Sequence, residues 1–69
     1  MDEIVFSIEV DEVDGGYTAR AINHGIFTEA DDLDTLKLMI KDAVECHFEV
    51  EQLPKLIHLN IIRHEVMAL

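Results

Sequence analysis

Basic side chains are scarce: five Lys and Arg stand against 15 Asp and Glu, a formal charge of −10 over 69 residues. Nucleic-acid binding needs clustered cations on the protein, so a duplex-binding role is excluded on charge. The single cysteine, Cys46, cannot form an internal bridge, which excludes a disulfide-stapled miniprotein and fits a reducing compartment. There is one proline, three glycines and no tryptophan, too few for a collagenous or low-complexity chain. No apolar run approaches the roughly 18 residues of a membrane span. The start, Met1-Asp2-Glu3, is acidic where a secretion signal would be basic and then apolar. Together these absences lead to the expectation of a cytoplasmic protein that binds neither membrane nor nucleic acid.

What is present is apolar content, at 49%, more than a disordered acidic tail carries. The length suits one small domain, residues 1–69, with a core so limited that oligomerisation is a natural source of stability. Residues 1–34 hold ten carboxylates and one base, Arg20, whereas residues 35–69 hold five carboxylates and four bases. An acidic first half favours a basic protein partner, or serves solubility alone.

Residues 4–10 alternate, with Ile4, Phe6, Ile8 and Val10 on one side and Val5, Ser7 and Glu9 on the other. That period of two predicts a strand with one buried face. Asp14-Gly15-Gly16 predicts a tight turn, and Tyr17 to Ile22 the returning strand, with Tyr17, Ala19 and Ala21 on one face. Asn23-His24-Gly25 breaks it, and Ile26 to Glu29 reads as a short third strand. Asp32 suits a helix N-cap, with Asp34 in the first turn. Leu33, Leu36, Ile40, Ala43, Val44 and His47 recur at helical spacing, flanked by Met39 and Cys46, and Leu38 falls on the polar side. Pro54 is expected to end the helical region. Residues 56–63 alternate again, Ile57, Leu59 and Ile61 against His58, Asn60 and Ile62.

The order is β-β-β-α-β, an α+β class: a four-stranded sheet with one helix on one face. Short connections join the first three strands, and the helical crossover lets the last run parallel to the first, giving sheet order 3-2-1-4. The expected core is Ile4, Phe6, Ile8, Leu33, Leu36, Ile40, Val44, Ile57, Leu59 and Ile61. A single helix leaves the other sheet face open. Val5, Ile22 and Ile62, with the apolar tail Val66, Met67 and Leu69, are expected to meet a second copy there, as a homodimer or a tetramer of dimers.

Chemistry is sparse. Ser7 lies mid-strand without a nucleophile-elbow context, and Gly15-Gly16 sits among acids rather than in a phosphate loop. Cys46 and His47 diverge by about 100° on a helix, and Cys46 reads as a packed thiol. His58 and His64 are separated by roughly 20 Å along an extended strand, too far to share an ion. His47 and Glu51 are spaced i, i+4, but His47 reads as a core histidine of the apolar stripe, and His24 as a loop residue. The expectation is no catalytic residue, no cofactor and no metal. Two carboxylate clusters stand out. Asp11, Glu12 and Asp14 surround the hairpin and are the candidate partner-binding residues. Asp31, Asp32 and Asp34 precede the helix and are explained by capping.

The succession Ile4-Val5-Phe6, then Asp14-Gly15-Gly16-Tyr17-Thr18-Ala19, then Gly25-Ile26-Phe27-Thr28-Glu29-Ala30-Asp31-Asp32-Leu33, then Asp42-Ala43-Val44-Glu45 resembles the HicB-type antitoxin domain over nearly the whole chain. Ala30 stands where that family usually has glycine, and Asp32 where it has threonine. The resemblance implies a partial ribonuclease-H-like fold without nuclease activity. It implies as partner a small basic RNA-cleaving toxin of HicA type, whose active site the antitoxin masks. HicB antitoxins usually add a C-terminal DNA-binding domain; the resemblance here reaches only the first domain, so DNA binding is not implied. The alternative is a stand-alone oligomeric module with no toxin partner and no catalysis.

Overall fold

The computed structural model describes residues 2–69. Four strands and one helix follow the expected order: β1 (Glu3–Val10), β2 (Tyr17–Ala21), β3 (Phe27–Ala30), α1 (Leu33–His47), a 3-10 turn (Val50–Gln52) and β4 (Leu56–Ile62). They make one mixed sheet in the order β3-β2-β1-β4, antiparallel except for the parallel pair β1–β4. No helix is long and apolar enough to cross a membrane among the described residues.

Each turn has a local cause. Asp11 Oδ1 accepts from the backbone N–H groups of Val13 (3.0 Å) and Asp14 (3.1 Å), which folds the loop back on itself. Gly15 supplies the left-handed φ of +78° that the loop needs before β2. In the second turn Asn23 takes φ +67°, a conformation asparagine tolerates, and Ala21 N–H donates to Ile26 C=O at 3.0 Å. Asp32 caps α1, accepting from Thr35 N–H.

The core lies between α1 and the sheet. Ile4, Phe6 and Ile8 from β1 pack with Ala19, Ala21 and Ile26 and with Leu36, Ile40 and Val44 of the helix, all buried. Leu33, Ile57 and Leu59 border this cluster half-buried. Ile26 joins the core although β3 begins one residue later than expected. Ile61 was expected in the core and is instead 48% exposed. Its alternation was right, since it pairs with Ile8 on the helix side, but α1 packs over β3 and β2 and leaves the far end of β4 uncovered.

Three further expectations are corrected. His47 is exposed rather than buried in the stripe, because it is the last helical residue; its ring meets Phe48 edge-on at 4.8 Å and His24 at 6.1 Å. Cys46 is exposed rather than packed. The helix ends at His47, well before Pro54, because Phe48 turns extended (φ −109°, ψ 150°) and packs its ring against the core. Glu51 therefore lies in the 3-10 turn, not one helical turn above His47.

Candidate functional site: an acidic cleft at the helix start

Strand pairing brings the two carboxylate clusters together. Tyr17, the first residue after the hairpin loop, pairs with Ala30, the last residue before the helix cap region. The loop at Asp11 and the β3–α1 junction therefore stand side by side. Between them is an open cleft of about 600 Å³ lined by Asp11, Glu29, Asp31 and Asp32, with Tyr17 and Met39 among its walls. Among the described residues no Lys, Arg or His lines it. Arg20, the one base of the first half, is instead placed over the Phe27 ring at 6.0 Å.

The four carboxylates differ in freedom. Asp32 uses both oxygens on Thr35, Oδ1 accepting the backbone N–H at 2.7 Å and Oδ2 the hydroxyl at 2.9 Å. These bonds, the backbone one foremost, hold its carboxyl below the usual aspartate range. Asp11 spends Oδ1 on its own loop. Glu29 and Asp31 make no side-chain hydrogen bond or ion pair among the described residues. Glu29 shares the sheet face of its partner Thr18, away from α1, and so lines the cleft from its rim. No group of three or more His, Cys, Asp or Glu could hold a metal ion among the described residues.

Of the residues singled out in sequence, Asp11 lines the cleft. Glu12 faces a neighbouring depression that also touches Arg63, and Asp14 lies outside both. Glu29 was missed, because its place depends on the pairing of Thr18 with Glu29 across β2 and β3. The residues expected at an oligomer contact are placed on the sheet face away from α1 or beyond it: Val5 half-buried, Ile22 and Ile62 half-exposed, and Val66, Met67 and Leu69 exposed past the end of β4.

A UPF0150 protein of Archaeoglobus fulgidus is 57% identical over 56 residues, 81% of this chain and 82% of that one. The chain belongs to the UPF0150 family. A second UPF0150 protein, from Thermotoga maritima, is 44% identical over 66 residues, covering 96% of this chain and 91% of its own. No family model matches the chain, and no solved structure matches it significantly. In this UPF0150 chain, carboxylates from two chain segments line one cleft, with no Lys, Arg or His in its lining among the described residues.

Proposed function

We propose that the protein is a HicB-type antitoxin module that binds a small basic RNA-cleaving toxin of HicA type through the acidic cleft. The observation that carries this reading is the convergence of Asp11, Glu29, Asp31 and Asp32 on one cation-free cleft. An RNA-cleaving protein holds its substrate through Lys and Arg aimed at phosphates. Carboxylates set on a folded scaffold compete for those same cations. Glu29 and Asp31 supply the free charge, while Asp32 and Asp11 keep the rim ordered through their own hydrogen bonds. A net charge of −10 also speeds encounter with a basic partner. On this reading the chain binds and masks; the chemistry belongs to the toxin.

The test is inhibition of RNA cleavage by a HicA-type toxin when the protein is added. The reading requires inhibition to saturate at a fixed stoichiometry and to weaken as salt rises. Cleavage that continues at full rate with excess protein contradicts it. A second reading, a stand-alone oligomeric module, is favoured by one specific observation, the uncovered apolar strand β4.

A further inference from the structure

We propose that a second copy of this chain pairs antiparallel with the outer edge of β4, in a register centred on Leu59. β4 is the last strand of the sheet, and its outer side has no neighbouring strand among the described residues. Edge strands are ordinarily guarded by lysine, proline, inward charges or a covering element. The seven residues Leu56–Ile62 contain no Asp, Glu, Lys, Arg or Pro, and Leu56, Ile61 and Ile62 are about half exposed.

The free backbone groups are identifiable. Leu56 N–H donates to Asp2 C=O at 3.1 Å, so Leu56, His58, Asn60 and Ile62 turn their backbone groups to β1. Ile57, Leu59 and Ile61 turn theirs outward. A two-fold axis at Leu59 sets these outward groups against each other, Leu59 opposite itself and Ile57 opposite Ile61 of the second copy. On the other face Leu56 meets Ile62, and His58 meets Asn60. A shift by two residues places Ile57 against Arg63, or Ile61 against Lys55, and a shift by one exchanges the faces. At each end Lys55 stands opposite Arg63, with Glu65 at the diagonal distance.

Charge selects this edge as the place for a second copy. Two chains of −10 repel, and β4 is a stretch without a carboxylate. The open sheet face carries Glu3, Glu9 and Glu29 alongside Arg20 and His58, the latter on Glu3 at 3.0 Å, so stacking two copies there gathers more carboxylates than β4 does. Edge pairing leaves the acidic clefts at the far sides of the assembly, beside β3. It also carries the chain beyond Ile62 past Leu56 of the other copy toward Leu53 and Val50. Val50, Val66 and Met67 are 82%, 81% and 90% exposed, so each is free to be covered there. This inference stands apart from the toxin reading and requires no toxin.

Sedimentation of the full chain at micromolar concentration tests it. The expected mass is twice the 7.9 kDa of one chain. Ile61→Lys places a charge on the edge and is expected to halve the mass with the circular dichroism spectrum unchanged, while Ile22→Lys on the open face leaves the dimer intact. A wild-type monomer overturns the proposal, as does a dimer that Ile22→Lys dissociates and Ile61→Lys does not. A monomer that binds a basic protein in an Ile61-dependent way assigns the edge to that protein and overturns it too. Register is read separately in a Cys46→Ser background. Chains carrying His58→Cys mixed with chains carrying Asn60→Cys should give the mixed disulfide in excess, and an excess of either homodisulfide contradicts the Leu59 centre.

Discussion

Asp32 closes over the first turn of α1 with both carboxylate oxygens on one residue, Thr35, at 2.7 Å to the backbone nitrogen and 2.9 Å to the hydroxyl. The same clamp fixes the junction that carries Asp31 into the cleft. Because the pKa of Asp32 is lowered in the folded chain, its stabilisation is complete above the unfolded value of 3.8 and is lost as pH falls through the lower native value. Asp32→Ala is expected to melt below wild type at pH 7, with the gap constant down to about pH 5 and narrowing below 3.8. Melting curves from pH 7 to pH 2 check this; a gap that widens in acid contradicts it.

Two leucines on α1 report its phase. Leu36 is fully buried, and Leu38 is 70% exposed. Leu36→Ala is expected to cost about 2–5 kcal/mol, enough to threaten folding in so small a domain. Leu38→Ala should stay within about 0.5 kcal/mol. Urea denaturation of the two variants distinguishes them, and equal losses would contradict the packing described.

The adjacent glycines of the hairpin differ in the same way. Gly15 has φ +78°, and an added Cβ there would meet no atom within 4 Å, so the cost of Gly15→Ala is the backbone conformation alone, about 1–2 kcal/mol. Gly16 has no such φ, and its Cβ would sit at ordinary contact distance, 3.6 Å, from Ala30 O. Gly16→Ala is expected to be nearly neutral. Chemical denaturation reads both.

Much of this fold was legible in the residues. The alternation of Ile4, Phe6 and Ile8, the glycine turn, the Asp32 cap and the Leu36-Ile40-Val44 stripe are local signals, and each states one periodicity or one special conformation. Ile61 misled because alternation says which way a side chain points, not how far the covering helix extends, and His47 because helical spacing does not say where the helix ends. That limit is set by where α1 lies across β2 and β3. The cleft was half legible. Asp11 and Asp31 were visible as members of separate clusters, but their meeting depends on the Tyr17–Ala30 pairing, a long-range register that composition does not encode. Glu29 had no local signal beyond its place in a strand.

The role of the cleft is tested most directly by the affinity of a small basic HicA-type toxin for the wild-type chain and for Glu29→Lys/Asp31→Lys, measured across a salt series. These two side chains carry no intramolecular hydrogen bond or ion pair among the described residues, so their reversal leaves the capping and turn bonds in place. The account expects tight binding by wild type that weakens steeply with ionic strength, and a loss of about tenfold or more in the double variant, with a shallower salt slope. Equal affinity and equal salt dependence for the two chains would contradict it.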